Sequence, residues 1–160
     1  MNDPKYEIVI WADDDIVYSK KKITEEFVYE KLTDENVMVS YYGRDFVHSE
    51  CGFLVFNLKH PKTADYLVEM RDMYVSDEIY NIKEQHDSFV WDYIRIKFEE
   101  EYGVINKNLS SEYDMKQIDP MASSFMNVYF DHLKGNNKQI KHHPKWVKYI
   151  GMNFLRGGRE

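Results

Sequence analysis

The chain contains a single cysteine, Cys51, among its 160 residues. One cysteine excludes an internal disulfide and a zinc cluster built from cysteines, and it is typical of a protein from a reducing compartment. No apolar run approaches the roughly 20 residues of a membrane span. The N-terminal residues MNDPKYE also lack signal-peptide character. We therefore expect a soluble, cytoplasmic protein.

Basic residues are in the minority, and they are unevenly placed. The 21 basic and 28 acidic residues give a net charge of −7, which is unsuited to generic binding of nucleic-acid backbones or anionic membranes. Residues 134–160 nevertheless carry a net +6, against −13 for residues 1–133. The basic C-terminal segment is either a solvated tail or a surface that faces an anionic ligand or the acidic body.

Aromatic residues are abundant, with 13 Tyr, 9 Phe and 3 Trp, and they can fill the core of a single domain. Apolar periodicity and cap residues predict strands at 6–11, 37–42, 52–57 and 104–106, and helices at 24–32, 61–75, 85–101 and 123–133. Strands and helices in this order are typical of an α/β domain with a mixed sheet. The first strand is nearly all apolar, so we expect it to be central in the sheet.

Three aspartates, Asp13, Asp14 and Asp15, directly follow the first strand. Ligands of α/β sheets bind at the carboxyl ends of strands, and alternation along the chain directs Asp13 and Asp15 to the same side. Two converging carboxylates repel each other unless a cation lies between them, and oxygen ligands suit Mg²⁺ or Mn²⁺. The alternative is an acidic turn whose side chains cap a neighbouring helix or loop.

A second motif, H-x-x-G-x-x-K, is formed by His132, Gly135 and Lys138 at the start of the basic segment. A histidine can supply a metal ligand, a glycine lets backbone N–H groups approach a phosphate, and a lysine adds positive charge. The alternative for His132 alone is a histidine with an ordinary hydrogen-bonding role in the core or at the surface.

A hydrophobic strand ending in Asp-x-Asp, with His-x-x-Gly-x-x-Lys far downstream, resembles the metal-dependent glycosyltransferases of the GT-A fold. Within that fold it is most similar to the glycogenin-like family eight of retaining enzymes. The phrases HSECGF, HDSFVWD and DHLKG are also similar to glycosyltransferase-like proteins encoded by viruses and phages, which would place this protein in the cytoplasm of a host cell. The resemblance extends from residue 6 to about residue 144.

The resemblance implies a site and a fold. Asp13, Asp15 and His132 would bind Mn²⁺ or Mg²⁺, and Gly135 and Lys138 would hold the diphosphate of a nucleotide sugar. Residues 1–144 would be the C-terminal portion of a GT-A-like, Rossmann-like catalytic domain with a mixed, mainly parallel sheet flanked by helices. Residues 145–160 would be a basic tail.

Two further carboxylates are candidates for catalysis. An oxocarbenium-like sugar needs a nearby carboxylate, and Asp87 or Glu50 can serve. Glu50-Cys51-Gly52 takes the place of the family's Asn-Ala-Gly strand, and the segment around Asp87 takes that of its Asp-Gln-Asp helix start. The alternatives are that Asp87 stabilises the first turn of a helix and that Glu50 is a strand-end charge at the surface.

The chain departs from the family pattern at its N-terminus, where only about ten residues precede the Asp-x-Asp strand rather than a nucleotide-binding half. Three hypotheses follow: a glycosyltransferase with an unidentified sugar donor and acceptor, a non-catalytic GT-A-like remnant that acts as a binding or scaffold module, or a metal-dependent phosphoesterase. The truncation also predicts an open sheet edge that a second copy or a partner chain covers.

Overall fold

A computed structural model of the chain describes residues 7–18 and 21–133. A four-stranded sheet is flanked by helices, and a separate two-stranded sheet lies beside it. The strands are β1 (Ile8–Ala12), β2 (Ile16–Tyr18), β3 (Val37–Tyr42), β4 (Glu50–Asn57), β5 (Ile105–Asn108) and β6 (Phe130–His132). The α-helices are α1 (Glu25–Phe27, continued by a π-helix over Val28–Leu32), α2 (Thr63–Val75), α3 (Asp87–Tyr102) and α4 (Pro120–Ser123).

The larger sheet has the strand order β1-β4-β3-β5 and is mixed, as the sequence predicts. β4 is antiparallel to both β1 and β3, and only β3 and β5 are parallel. The prediction of a mainly parallel sheet is therefore wrong for the described residues. The reason is the short connection 43–49, which joins β3 to β4 and permits only an antiparallel pair.

β4 is central and buried on both faces, which explains why its sequence is almost continuously apolar. Phe53 and Val55 face one core cluster, whereas Leu54 and Phe56 face the other. β4 thus contributes side chains to both core clusters. Its first residue, Glu50, lies at the end of the sheet where the candidate site is found.

One face of the sheet is covered by α2 and α3. Trp91 of α3 is fully buried, and its ring packs edge-on against the rings of Tyr66 and Phe56. The predicted C-cap of α3 is confirmed, since Gly103 adopts the left-handed conformation with a φ of 63°. α3 begins at Asp87, so the fixed helix start determines where this carboxylate lies.

The opposite face is covered by the β2–β6 sheet, α1 and α4. Buried side chains of Leu32, Met121 and Met126 pack there against Phe53. The predicted N-cap of α1 is confirmed, because the Thr24 hydroxyl accepts the backbone N–H of Phe27 at 3.2 Å.

Two predictions about the elements are wrong. β1 is an edge strand that pairs only with β4 among the described residues, and Val9 and Trp11 on it are exposed, so it is not central. The predicted helix 123–133 is instead a short 3-10 turn (Phe125–Val128) followed by strand β6. β6 is extended because it pairs with β2, a strand that the sequence did not predict.

No helix within 7–18 and 21–133 is both long and apolar enough to cross a membrane.

Candidate functional site

The two metal-ligand candidates of the first motif lie in the tight turn between β1 and β2. The backbone N–H of Asp13 donates to the carbonyl of Gly52 at 2.8 Å, which ties the turn to β4. The backbone N–H of Ile16 donates to the Asp13 carbonyl at 3.0 Å and closes the turn. Asp15 is buried and Asp13 is half-buried, whereas Asp14, which lies between them in sequence, is exposed. The turn therefore directs Asp14 to solvent and the other two aspartates toward the protein.

His132 reaches the same place from the other end of the chain. It is the last residue of β6, and its register partner in β2 is Ile16, the residue after Asp15. Its side chain is only 2% exposed, and Nε2 lies 3.3 Å from Asp15 Oδ1. The backbone N–H of Leu133 also donates to the Asp15 carbonyl at 2.8 Å. The small sheet thus brings together the two motifs that are far apart in sequence.

A carboxylate that the sequence reasoning missed orients His132. Asp119 Oδ1 lies 2.9 Å from His132 Nδ1, and an ionised carboxylate can only accept, so Nδ1 donates. Nε2 faces Asp15 Oδ1 at 3.3 Å, and a proton on Nε2 or a cation between the two atoms is what makes that contact favourable. A carboxylate behind a histidine is the arrangement that fixes metal-binding histidines. The sequence signal for Asp119 is the Asp-Pro of a helix start, which indicates a cap but not a contact with His132.

Glu50 lies beside Asp13 across the backbone of Gly52. A Cβ built on Gly52 would lie 3.1 Å from Asp13 Oδ2 and 3.1 Å from Glu50 Oε1. A side chain at position 52 would crowd both carboxylates, so glycine allows them to lie close to each other. Glu50 Oε1 accepts the Gly52 N–H at 3.2 Å, and Glu50 Oε2 lies 3.5 Å from the half-buried guanidinium of Arg44. Glu50 is buried, which differs from the exposed strand-end charge of the alternative interpretation.

Asp87 begins α3 at the same end of the molecule. It is exposed, and its Oδ1 accepts the backbone N–H of Ser88 at 2.8 Å, so it takes part in the helix start as the alternative interpretation expects. Its charge also acts on Asp13 and on Cys51. The structure thus gives Asp87 a helix-start contact and a place close to the other carboxylates.

The pKa of Asp13 is raised by its surroundings. Its pKa is raised by burial and then, in decreasing order, by the charges of Asp15, Asp87 and Glu50, while a hydrogen bond from the Trp11 indole opposes the shift. Four carboxylates at close range disfavour ionisation unless positive charge is nearby. A divalent cation would supply that charge.

Asp13 and Asp15 offer carboxylate oxygens and His132 offers an imidazole nitrogen, which are donor types that Mn²⁺ and Mg²⁺ accept. Asp15 and His132 are in contact, but among the described residues Asp13, Asp15 and His132 do not bring one ligand atom each within 4.8 Å of one another, so Asp13 would have to move closer to share an ion with them. The diphosphate candidates Gly135 and Lys138, like the basic tail, lie outside the described residues.

No protein family model, no curated protein and no solved structure matches this chain. The interpretation of its function therefore depends on the residues of the site.

Proposed function

We propose that this protein is a metal-dependent glycosyltransferase, which moves a sugar from a nucleotide-diphosphate sugar to a hydroxyl acceptor. The observation that supports this proposal is the meeting of Asp15 and His132 at 3.3 Å, with Asp13, Glu50 and Asp87 close enough to act on one another. These five residues come from four separate segments of the chain, and the resemblance to the glycosyltransferase family implies one site for all of them.

The metal-binding part of the proposal is carried by three side chains. Asp13 and Asp15 would hold Mn²⁺ or Mg²⁺ through carboxylate oxygens, and His132 through Nε2. When bound, the ion would offset the negative charge of the diphosphate leaving group. Asp119 holds the Nδ1 proton of His132 and so keeps Nε2 available on the side of Asp15.

In the transfer step, the acceptor oxygen forms a bond to the anomeric carbon of the sugar. The bond from that carbon to the diphosphate oxygen breaks, and its electron pair leaves with the diphosphate. Glu50 is buried and fixed beside Gly52, which suits it to stabilise positive charge on the sugar ring. Asp87 is exposed, which suits it to take the proton of the acceptor and pass it to solvent. Gly135 and Lys138 would bind the diphosphate.

The proposal is tested by measuring the release of nucleoside diphosphate from a panel of UDP- and GDP-sugars in the presence of Mn²⁺. Asp15→Asn removes a metal ligand, and Asp14→Asn is the matched control because it makes the same charge change at an exposed position of the same turn. We expect turnover by the wild type and by Asp14→Asn, and at least a 100-fold loss in Asp15→Asn, which corresponds to about 2.7 kcal/mol.

Equal turnover by the two variants would contradict the proposal. Binding of Mn²⁺ and of a nucleoside diphosphate without turnover of any donor would instead favour the non-catalytic binding module.

A further inference from the structure

A second group of ligand-type side chains lies outside this site, at the start of α3. His48 lies in the connection between β3 and β4, and Glu84 and His86 immediately precede α3. One ligand atom from each lies within 4.8 Å of the others. We propose that these three residues form a separate transition-metal site, with Zn²⁺ as the ion that suits it. The proposal is independent of the proposed transferase function.

The distances are already close to those of a coordinated ion. Glu84 Oε2 lies 3.2 Å from His48 Nε2 and 2.9 Å from His86 Nε2. In a tetrahedral zinc site with bonds of about 2.0–2.1 Å, neighbouring ligand atoms are about 3.3–3.4 Å apart. Glu84 therefore needs to move little. The two imidazole ring centroids are 5.0 Å apart, which is about the separation of two imidazoles bound to one tetrahedral ion.

The donor types favour a transition metal over Mg²⁺ or Ca²⁺. Two imidazoles and one carboxylate are the donors expected for Zn²⁺, Cu²⁺, Ni²⁺ or Fe²⁺, whereas Mg²⁺ and Ca²⁺ take oxygen ligands. The three side chains are 32%, 36% and 49% exposed for His48, Glu84 and His86 respectively. Three protein ligands with an open side leave one coordination position to water, as in zinc sites that are not purely structural.

His48 has a carboxylate behind it. Its Nδ1 lies 3.9 Å from Asp92 Oδ2, and Asp92 is itself held by the Ser49 backbone N–H at 2.7 Å and by Arg95. When Nε2 binds an ion, the ring proton moves to Nδ1, where Asp92 can accept it after a small rotation. This is the outer support that metal-binding histidines have in proteins.

His86 would exchange one contact for another. In the structure its Nδ1 accepts the backbone N–H of Phe89 at 3.3 Å and caps α3, while Nε2 donates to Glu84. Coordination through Nε2 moves the ring proton to Nδ1 and ends that cap. The three ligands would then clasp the connection 43–49 to the start of α3, and these are the segments adjoining Glu50 and Asp87.

The test is calorimetric titration of the chelator-treated full chain with Zn²⁺, together with the visible absorption of Co²⁺ in its place. The ligand variants are His48→Asn and Glu84→Gln. The matched control is His60→Asn, a half-buried histidine in the connection before α2. Asp15→Asn separates this site from the Asp13–Asp15–His132 site. Melting temperatures without metal establish that each variant is folded.

We expect Asp15→Asn, in which the first site is disabled, to bind one equivalent of Zn²⁺ saturably with a tetrahedral Co²⁺ spectrum, and the wild type and His60→Asn to retain that same equivalent. Binding should be at least about tenfold weaker in His48→Asn and Glu84→Gln. The proposal is overturned if the wild type binds no Zn²⁺, if the two ligand variants bind as the wild type does, or if only Asp15→Asn loses binding. The last outcome would assign the Zn²⁺ to the first site.

Discussion

His132 Nδ1 lies 2.9 Å from Asp119 Oδ1, so a carboxylate thirteen residues earlier in the chain fixes the orientation of this ring. The same Asp119 oxygen accepts the backbone N–H of Ala122 at 3.3 Å, which anchors the carboxylate to the start of α4. The orientation of Nε2 toward Asp15 therefore depends on a residue that would touch neither the metal ion nor the substrate.

Asp119→Asn is expected to weaken Mn²⁺ binding about tenfold, because the amide keeps an acceptor oxygen but loses the charge that raises the basicity of the His132 ring. The measurement is calorimetric titration with Mn²⁺. Asp131→Asn is the control, since Asp131 is exposed, precedes His132 in β6 and undergoes the same charge change. Equal affinities for the two variants would show that Asp119 has no positioning role.

Gly52→Ala is expected to lower Mn²⁺ affinity about tenfold, or by about 1.4 kcal/mol, while the chain still folds. Gly52 has no left-handed backbone, so the added methyl group acts through its contacts, each at 3.1 Å, with Asp13 and Glu50. Those carboxylates must shift, and overpacking of this kind costs about 1 kcal/mol of unfolding free energy. Thermal melts and Mn²⁺ titrations measure both effects. Unchanged Mn²⁺ affinity would count against Asp13 as a ligand.

Asp13→Asn is expected to raise the melting temperature in the absence of divalent ions by about 1–3 °C, because it removes a carboxylate that burial and three like charges disfavour. The same substitution should remove the stabilisation that Mn²⁺ gives the wild type. Differential scanning calorimetry with and without Mn²⁺ checks both. A lower melting temperature in metal-free buffer would show that Asp13 is held by favourable contacts instead.

The raised pKa of Asp13 also makes the stability of the wild type depend on pH. The pKa of Asp13 is higher in the folded than in the unfolded chain, so its favourable contribution is full below the ordinary carboxyl pKa and is lost as pH rises through the folded value. As pH rises from the ordinary carboxyl pKa through the folded pKa of Asp13, the wild type should therefore lose unfolding free energy relative to Asp13→Asn. Saturating Mn²⁺ should reverse the trend, because the metal ion binds the ionised carboxylate.

Cys51 is expected to be a poor nucleophile in the folded protein. Burial raises its pKa to about 12, the charges of Asp87 and Glu50 act in the same direction, and a hydrogen bond with Ser88 opposes them. Alkylation by iodoacetamide at pH 8.5 should be at least about tenfold slower in buffer than in urea, because the thiolate is the reacting form. Equal rates would show that the thiol is accessible and ionised.

The sequence predicted the elements with local signals better than those that depend on distant pairing. The N-cap Thr24 and the C-cap Gly103 are local signals, and both are confirmed. The strand at β6 is not local, because its extended form depends on pairing with β2, more than a hundred residues earlier. The predicted helix over 123–133 therefore does not form.

The position of β1 shows the same limit. Its apolar residues predicted a strand correctly, but Val9 and Trp11 are exposed at the sheet edge, and composition alone does not distinguish an apolar edge strand from a central one. At the proposed site, Asp13, Asp15 and His132 are candidates that the sequence motifs name. Asp119 and Arg44 could not be named in this way, because their contacts with His132 and Glu50 arise only from the fold.

The central claim is that Asp13, Asp15 and His132 bind one divalent cation, and titration of Mn²⁺ followed by the electron paramagnetic resonance signal of the free ion tests it most directly. The account predicts one equivalent bound by the wild type and by Asp14→Asn, and a loss of at least tenfold in affinity in Asp15→Asn and His132→Ala. Wild-type protein that leaves Mn²⁺ free, or Asp15→Asn that binds it as tightly as Asp14→Asn, would contradict the account.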